Sequence, residues 1–212
     1  MRYHQPFDEI LDSRPKLQVL RFLCRKGGEW GVRRLAAEVG MNPVTAHRAL
    51  RALHQATLLE HRRVGTSDCY ALRDDHDLVQ EILRPLFRRE AEGLERLAQR
   101  LRKILGTRRR SAVVTMALYG SVARGQERPT SDLDCLVVVT SASAKSSVRQ
   151  ALESAWRPVM QAFGNPLALS VKTVREAQGM ARRRSPLWQN ILEQHRVLWG
   201  QPLAQVIRGR AA

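Results

Sequence analysis

Two short groups of residues in the second half of the chain have the types and the spacing for phosphate and metal chemistry. Gly120-Ser121 ends an apolar, β-branched run, and after ten intervening residues Asp132-Leu133-Asp134 opens a second apolar run. Glycine lets a phosphate approach the backbone closely, and the amide and hydroxyl of Ser121 can donate hydrogen bonds to it. Because side chains alternate along a strand, Asp132 and Asp134 are predicted to project from one face.

Two carboxylates on one face suit a divalent cation that also binds substrate phosphates. Asp132 and Asp134 are therefore the predicted catalytic residues and metal ligands, with Mg²⁺ or Mn²⁺ as the cofactor. Arg124, between the two groups, can add positive charge near a triphosphate. Gly120, Ser121 and Arg124 are accordingly predicted to bind a nucleoside triphosphate. A lone Asp-x-Asp is a weak signal, but its spacing from Gly-Ser across two predicted strands is more specific.

The stretch from Leu118 to Asp134 resembles the minimal nucleotidyltransferases of the DNA polymerase beta superfamily, with Gly120, Ser121, Asp132 and Asp134 at the matching positions. The resemblance implies a mixed sheet flanked by helices. It also implies metal-dependent transfer of a nucleoside monophosphate to a hydroxyl on a protein, an RNA or a small molecule. Small members of this family are commonly antitoxins that modify a toxin, so by analogy a toxin-like protein is one expected acceptor.

One position departs from the pattern of this family. Its members usually supply a third carboxylate from a later strand, where it helps to activate the acceptor hydroxyl. Here that strand is predicted over 167–173, after a helix over 144–163, and Ser170 aligns with the third carboxylate. Ala168 and Lys172 on the same face are not acidic either. Two interpretations stay open: an enzyme that works with two carboxylates, and a transcription regulator whose catalytically silent domain only binds nucleotide.

The first third of the chain has the pattern of a DNA-binding module. Helical apolar spacing is predicted over 14–26 and again over 32–39, where Gly40 supplies the tolerance of positive φ that a helix-turn-helix needs. Asn42-Pro43 then predicts the N-cap and the first residue of a third helix. A β-hairpin with a polar tip is predicted between Leu58 and Arg73.

The third helix and the hairpin supply the predicted DNA contacts. The helix is expected to bury Ala46, Ala49, Leu50 and Leu53, which turns its polar side chains outward. The residues predicted to bond phosphates and base edges are Thr45, His47, Arg48 and Arg51 on the helix, and Arg62 and Arg63 on the hairpin. This order of elements resembles the winged helix-turn-helix domains of regulators of the MarR and ArsR type, which implies binding to double-stranded DNA.

The connector between these regions is predicted to be a long helix followed by a linker. Apolar residues recur at 4-3 spacing from Leu83 to Ile104, with Glu90 as the polar exception, and Pro85 is expected to kink or split the helix. The spacing favours a homodimer, which would suit a module that reads a two-fold DNA site, but an ordinary amphipathic helix would show much the same spacing. Gly106–Arg110 is interpreted as a solvated linker.

The predicted organisation is α+β: a winged helix-turn-helix DNA-binding domain over 1–73, the connecting helix and linker over 74–110, and a nucleotidyltransferase-like domain over 111–212. Within the last domain, two helices are predicted over 174–184 and 186–198. The order of the three regions suggests that DNA binding and nucleotide chemistry are carried by separate parts of the chain.

Composition and charge narrow the function classes. The chain has 36 Lys and Arg against 20 Asp and Glu, a net charge of +16, and a field of this sign attracts DNA, RNA and nucleoside triphosphates. No apolar run approaches the roughly 20 residues that span a bilayer, and the first residues lack the apolar core of a signal peptide. A cytoplasmic protein without a membrane partner is therefore expected. The three cysteines lie far apart and predict neither a zinc site nor a disulfide framework.

Overall fold

The chain forms two units, one up to Glu92 and one from Gly93 onward, in a computed structural model that describes residues 4–183 and 185–209. The boundary between the units lies inside the segment predicted to connect two domains. Both units combine helices with a sheet, which confirms the predicted α+β class.

The first unit has the order of elements predicted for a winged helix-turn-helix. Its first three helices are α1 (Arg14–Lys26), α2 (Val32–Val39) and α3 (Pro43–Gln55). Its antiparallel sheet has the strand order β1-β3-β2 and consists of β1 (Glu29–Gly31), β2 (Leu59–Val64) and β3 (Ser67–Leu72). The hairpin is as predicted, whereas β1 is an addition, because three residues are too short to show an alternating pattern.

Local signals explain where α2 ends and α3 begins. Gly40 follows α2 in the left-handed conformation, with φ 65°, which glycine adopts without a Cβ penalty. The Asn42 side chain accepts a hydrogen bond from the Val44 amide, and Pro43 occupies the first helical position. α3 buries the four predicted residues, Ala46, Ala49, Leu50 and Leu53. These four buried residues determine which face of α3 points outward.

The predicted connecting helix is interrupted twice, first by a π-helical turn and then at Glu92. A π-helical turn over Val79–Leu83 leads without a break into α4 (Arg84–Ala91), and Pro85, which has no amide hydrogen to donate, lies just after that turn. α4 packs against α1, and the Glu90 carboxylate accepts hydrogen bonds from two α1 arginines. Glu90, the polar exception in the apolar spacing, is therefore a residue that forms ion pairs within the first unit.

The second unit begins with α5 (Gly93–Ser111), which includes the segment interpreted as a linker. Gly106, with φ 65°, interrupts the helix, but the chain is helical on both sides of it. The prediction of a linker over Gly106–Arg110 is therefore wrong. The three arginines of the last turn are exposed, and cations are favoured there by the partial negative charge at a helix C-terminus.

A four-stranded sheet with the order β6-β5-β4-β7 organises the second unit. Its strands are β4 (Val113–Leu118), β5 (Leu133–Val139), β6 (Leu167–Thr173) and β7 (Arg196–Gly200). β5 and β6 run parallel and the other neighbours run antiparallel, which confirms the predicted mixed sheet. The prediction of helix over 186–198 is wrong at its end, because the last residues pair with β4 and satisfy its backbone groups there.

Among the described residues, six further helices flank this sheet: α6 (Gly120–Ala123), α7 (Ala142–Ser154), α8 (Trp156–Phe163), α9 (Val174–Arg182), α10 (Pro186–Glu193) and α11 (Leu203–Arg208). The single helix predicted over 144–163 is thus divided into α7 and α8. Arg184, the last residue of the helix predicted from Val174, lies outside the described residues. None of the helices in the described part of the chain is both long enough and apolar enough to span a bilayer.

Apolar side chains cover both faces of the four-stranded sheet. Cys135 and Val137 on β5 belong to a cluster that includes α5 and α7, whereas Leu136 belongs to a second cluster around the buried Trp188. Because successive side chains of a strand point to opposite faces, Asp134 projects on the face of Leu136. The alternation along β5 thereby determines which side of the sheet carries the predicted metal ligand.

Candidate functional site

The Gly120-Ser121 turn and Asp134 meet at one end of the four-stranded sheet. The Tyr119 amide, just after β4, donates a hydrogen bond to the Asp134 carbonyl, with an N···O distance of 3.0 Å. A Cβ atom on Gly120 would overlap the Asp134 carboxylate Oδ2 and lie 3.2 Å from its Cγ. Gly120 also has φ 73°, which side chains rarely adopt. Glycine is required there both by the close approach and by the backbone conformation.

Asp132 and Asp134 form a carboxylate pair with unequal exposure. Asp132 lies at the surface immediately before β5, and Asp134 is half-buried on it. Burial raises the pKa of Asp134, the negative charge of Asp132 raises this pKa further, and the Arg124 guanidinium lowers it. The two acids are therefore close enough to repel each other. A divalent cation bound between them would relieve that repulsion.

Asp134→Asn is expected to stabilise the second unit at neutral pH. The folded-state pKa of Asp134 lies above its unfolded value, so the ionised carboxylate opposes folding at pH 7, and this penalty disappears as the pH falls through the raised pKa. An amide of nearly the same shape removes the penalty, so the Tm at pH 7 should rise by about 1–3 °C. Calorimetry should show this gain shrinking on acidification and vanishing below about pH 4.

The exposed Asp132 provides the matched control for this substitution. Asp132→Asn removes the repulsion but no desolvation penalty at its own position, so its Tm gain should be smaller than that of Asp134→Asn. A lower Tm for Asp134→Asn than for the wild type at pH 7 would show that the carboxylate stabilises the fold, contrary to the burial and charge argument.

The parallel register of β5 and β6 identifies the residue beside Asp134. Asp134 is paired with Ala168, whereas Ser170 lies two residues further along the same face, roughly 7 Å away along the strand. The residue paired with the predicted metal ligand is therefore Ala168, and Ser170, which is aligned with the third carboxylate of the family, lies two positions further along β6. Lys172, also on this face, is paired with Val138 towards the other end of β5. None of the three residues on this face of β6 (Ala168, Ser170 and Lys172) is acidic.

The donor set at this end of the sheet consists of two carboxylates. Within residues 4–183 and 185–209, no group of three or more His, Cys, Asp or Glu side chains is arranged to hold a metal ion. Two carboxylates fit Mg²⁺ in the form in which it commonly binds to proteins, with its other ligands supplied by substrate phosphates and water. The residues present thus fit a metal bound together with a triphosphate better than a metal enclosed by protein alone.

Ser121 and Arg124, the residues predicted to bind a triphosphate, lie on the short segment that follows β4. Ser121 is in the first turn of α6, and in the described chain its hydroxyl makes no hydrogen bond. Arg124 is exposed, and its Nε donates to Gln126 at 3.3 Å. The first amides of a helix have no partner within it, so α6 presents donors at the same place as the free hydroxyl. The structure therefore brings the two residues together with Asp134.

Tyr119 is a site residue that sequence reasoning missed. It stands between β4 and Gly120, and its phenol is half-buried beside Asp134. Burial and then the negative charge of Asp134 raise the pKa of Tyr119, so the phenol keeps its proton at neutral pH. The sequence offered one signal for Tyr119, namely its position directly before Gly120-Ser121.

The outward face of α3 lies next to the β2–β3 hairpin, called the wing from here on. Thr45, Arg48 and Arg51 are exposed on α3. The fourth predicted residue, His47, is half-buried, and its Nε2 lies 3.8 Å from the Asp68 Oδ2 of the wing. The structure thus brings the predicted helix residues and the wing into one surface, with His47 at their junction.

Asp68 is a second residue that sequence reasoning missed. Its Oδ1 lies 2.9 Å from His61 Nε2, and this contact holds the pKa of Asp68 below its usual value, with a further contribution from the charge of His47. An acid at the tip of the hairpin is visible in the sequence, but its partners come from another strand and from α3. Asp68 therefore links His61 of the wing, by a hydrogen bond, with His47 of α3, which lies 3.8 Å away.

The two predicted wing arginines point to opposite faces of the hairpin. Arg63 is paired with Asp68 and shares the face turned towards His47. Arg62 lies on the other face and donates to the Glu29 carboxylate, with an Nη2···Oε1 distance of 2.8 Å and an Nε···Oε2 distance of 3.0 Å. Only Arg63 has its charge on the side of α3, so the two arginines are not equivalent.

Arg63→Ala is expected to weaken DNA binding more than Arg62→Ala. A free guanidinium beside α3 can neutralise a phosphate, and each such contact contributes a salt-dependence slope of about 0.9. In a gel-shift assay over a salt series, Arg63→Ala should lower the slope by about 0.9, and Arg62→Ala by clearly less. A larger loss for Arg62→Ala would mean that DNA lies against the face of Glu29 instead.

A groove of about 640 Å³ opens where the first turns of α2 and α3 meet the tip of the wing. Arg33 and Arg34 of α2 line it, and the Arg34 guanidinium lies 4.7 Å from the centroid of the Trp30 ring. Two helix N-termini and two guanidinium groups favour an anion in the groove, whereas Asp68, which also lines it, opposes one. Sequence reasoning missed these arginines, although the adjacent pair at the start of α2 was a visible signal.

Two family models match separate parts of the chain. The nucleotidyltransferase domain model matches residues 98–173, which include Gly120, Ser121 and both predicted metal ligands. The IclR helix-turn-helix domain model matches residues 17–63, from within α1 to β2. Among curated proteins no sequence matches this chain.

Solved structures that resemble parts of the chain fall into two groups. One is the homodimeric winged helix-turn-helix DNA-binding domain of a Mycobacterium bovis protein, with 29% identity over 42% of this chain and 79% of that one, and a TM-score of 0.35. The AntR antimony-specific transcriptional repressor has 30% identity over 39% and 74%, with a TM-score of 0.33. A toxin-antitoxin structure with AMP-PNP has 20% identity over 52% and 81%, with a TM-score of 0.33.

Proposed function

Because the chain combines a nucleotidyltransferase domain with an N-terminal helix-turn-helix domain, we propose that it binds double-stranded DNA and transfers a nucleoside monophosphate from a nucleoside triphosphate to an acceptor. The acceptor is part of a protein, for example a toxin-like partner, of an RNA or of a small molecule. The observation that carries the transfer is the Asp134 carboxylate packed against the Gly120 backbone within range of the Asp132 charge.

The triphosphate and the cation are assigned to the end of β5. Asp132 and Asp134 would hold Mg²⁺ or Mn²⁺ jointly with phosphate oxygens. When bound, the cation neutralises charge on the triphosphate and on the departing pyrophosphate. The Ser121 amide and hydroxyl donate to a phosphate oxygen, and the Arg124 guanidinium adds positive charge. Because Gly120 has no side chain, a phosphate can approach its backbone closely.

Transfer then requires the acceptor and the pyrophosphate to lie on opposite sides of the α-phosphorus. The acceptor oxygen forms a bond to phosphorus while the bond to the bridging oxygen breaks; pyrophosphate leaves with that electron pair, and a hydroxyl acceptor gives up its proton to solvent. The Gly120-Ser121 turn follows β4, so the leaving pyrophosphate is assigned to the β4 side of Asp134. The acceptor is accordingly assigned to the opposite side, next to β6.

The first unit is proposed to place the chain on DNA through α3 and the wing. Thr45, Arg48 and Arg51 are exposed for groove contacts, and Arg63 is available for phosphate. A homodimer is proposed as well, because helix-turn-helix modules commonly read two-fold sites as dimers. Ile82 and Leu86, four residues apart and 38% and 45% exposed, are apolar side chains that a second copy would cover.

A second candidate function is a transcription regulator whose nucleotidyltransferase domain binds nucleotide without turnover. The observation that favours it is Ala168 at the position beside Asp134, where it supplies neither a metal ligand nor a base. In this form, bound nucleotide would change the affinity of the first unit for DNA. A gel shift with and without a non-hydrolysable triphosphate and Mg²⁺ measures that coupling directly.

Label transfer distinguishes the two candidates. The wild-type protein is incubated with ATP, GTP, CTP or UTP carrying a labelled α-phosphate, with Mg²⁺ or Mn²⁺, in the presence of a cell lysate. Covalent label on the protein itself or on a lysate component supports transfer. A complete lack of label, together with a nucleotide-dependent gel shift, supports the regulator instead.

A further inference from the structure

The positive charge of the chain is concentrated in the second unit, which is not the unit assigned to DNA. Residues 93–212 carry 20 Lys and Arg against 7 Asp and Glu, a net charge of +13, whereas residues 1–92 carry 16 against 13, a net charge of +3. A charge of this size destabilises a compact unit by self-repulsion and attracts polyanions. One triphosphate with its cation would neutralise only a small part of it.

Helix α5 carries seven of these 20 cations and one acid, Glu95, within 19 residues. Arg96, Arg100 and Lys103 lie at positions i, i+4 and i+7, so they share one face of the helix, called the basic stripe from here on. All three are exposed. The stripe lies opposite the side of α5 that packs into the core, which is formed by Leu97, Ala98, Leu101 and Leu105.

The basic stripe does not stabilise the helix that carries it. In the described part of the chain its three side chains form no hydrogen bond or ion pair, whereas Arg102 donates to the Leu198 carbonyl at 3.2 Å and lies 3.5 Å from the Glu95 carboxylate. Like charges four residues apart repel each other along a helix, and the helix dipole disfavours Arg96 in the first turn. A ligand of opposite charge would offset both effects.

The spacing of the stripe suits a linear polyanion. At a rise of 1.5 Å per residue its charges extend over roughly 10 Å, and the last turn of α5 adds the exposed Arg108–Arg110. A nucleic-acid strand presents a charge about every 3.4 Å along B-DNA. The exposed side chains of α5 are all polar or charged, whereas the centre of a protein interface is apolar and poor in charge. Nucleic acid therefore fits this surface better than an acidic protein.

We propose that the basic stripe of α5 binds the phosphodiester backbone of a nucleic acid, as a second such surface in addition to α3 and the wing. Phosphate contacts carry no base information, so this binding is independent of sequence. α5 packs with Cys135 and Val137, on the face of the sheet opposite to Asp134, so the bound strand leaves the candidate nucleotide site open. The inference goes beyond nucleotidyl transfer and does not depend on it.

The test starts from the full-length protein with Arg48→Ala and Arg51→Ala, which weakens the α3 surface. The stripe variant adds Arg96→Gln, Arg100→Gln and Lys103→Gln, which remove charge but keep strong helix formers. Binding of a single-stranded RNA and of a DNA duplex, both of mixed sequence, is measured by fluorescence anisotropy over a salt series. The probe whose affinity falls more identifies the nucleic acid that α5 prefers.

The matched control removes three exposed cations from α7, α8 and α9 of the same unit, by Arg149→Gln, Arg157→Gln and Arg175→Gln. The stripe variant should lose affinity by about 10- to 100-fold at physiological salt, and its salt slope should fall by about 2 for RNA and about 3 for DNA, since each phosphate contact contributes about 0.7 and 0.9. The control should lose less than half as much slope. Its Tm, the Tm of the stripe variant and Mn²⁺ binding with a triphosphate should stay unchanged.

Three outcomes overturn the inference. Equal losses in the stripe variant and the control would mean that net charge alone governs binding. No binding of either probe by the starting protein would mean that the second unit has no such surface. Arg96→Lys with Arg100→Lys keeps the charge and should keep the salt slope, so a loss as large as that of the stripe variant would assign the effect to helix structure instead of charge.

Discussion

Asp132→Ala combined with Asp134→Ala should lower label transfer by about a thousandfold or more. The two carboxylates are the proposed ligands of the cation, and a bound cation contributes on the order of several kcal/mol of charge stabilisation to phosphoryl chemistry, which corresponds to at least three powers of ten. Transfer of α-labelled nucleotide is followed over time at saturating Mg²⁺. The same double variant is expected to lose Mg²⁺-dependent binding of the triphosphate.

A double variant of two other exposed acids controls for the change in net charge. Glu153 on α7 and Glu193 on α10 are exposed carboxylates of the same unit, so Glu153→Ala with Glu193→Ala removes two negative charges elsewhere. This control should retain transfer within a few-fold of the wild type. Transfer that survives in the Asp132 and Asp134 variant at a comparable level would place the chemistry at another site.

Arg48→Ala combined with Arg51→Ala should reduce DNA affinity by about 10- to 100-fold at physiological salt and lower the salt slope by about 2. Both side chains are exposed on the face of α3 that faces away from the buried Ala46, Ala49, Leu50 and Leu53. Arginine is suited to bidentate contacts with guanine and to phosphate, so removing two of them affects both recognition and attraction. Gel shifts over a salt series measure both quantities.

Arg88→Ala with Arg89→Ala provides the matched control, because it removes the same charge from exposed positions of α4. α4 packs against α1 and carries no part of the α3–wing surface. The control should show a much smaller loss of affinity. If both double variants behaved alike, DNA binding would depend on overall charge and not on α3.

Patterns within one element were the most predictable part of the fold. The buried face of α3 follows from apolar spacing alone, and its start follows from Asn42-Pro43, because caps and periodicity are local properties of the chain. The wing hairpin is likewise visible as alternation around a polar tip. The pairing of Arg62 with Glu29 was not visible, because the two residues are 33 positions apart and meet only through the sheet.

The candidate site shows the same division between local and tertiary information. Alternation places Ala168, Ser170 and Lys172 on one face, and the structure agrees. Which of them stands beside Asp134 depends on the parallel register of β5 and β6, which is set by packing between elements far apart in the chain. For the same reason the strand β7 was mistaken for helix: its backbone partner is β4, about 80 residues earlier in the chain.

The end of β5 also combines features that oppose stability with features that favour chemistry. Asp134 is half-buried beside a like charge, and Gly120 holds positive φ against its carboxylate. Such arrangements persist in proteins mainly where a site requires them. The expected rise in Tm of Asp134→Asn and the expected loss of transfer in the Asp132 and Asp134 variant are two consequences of this one arrangement.

Binding of Mn²⁺ together with a triphosphate, followed by electron paramagnetic resonance, tests the central claim most directly. Mn²⁺ is titrated into wild-type protein with each of ATP, GTP, CTP and UTP, and the same titration is made with Asp132→Asn plus Asp134→Asn, whose fold is checked by its Tm. At least one triphosphate should recruit Mn²⁺ to the wild type, and the amide variant should lose that signal while remaining folded. Equal Mn²⁺ binding by both proteins, or none by the wild type with any triphosphate, would contradict the assignment of a metal–triphosphate site to this end of the sheet.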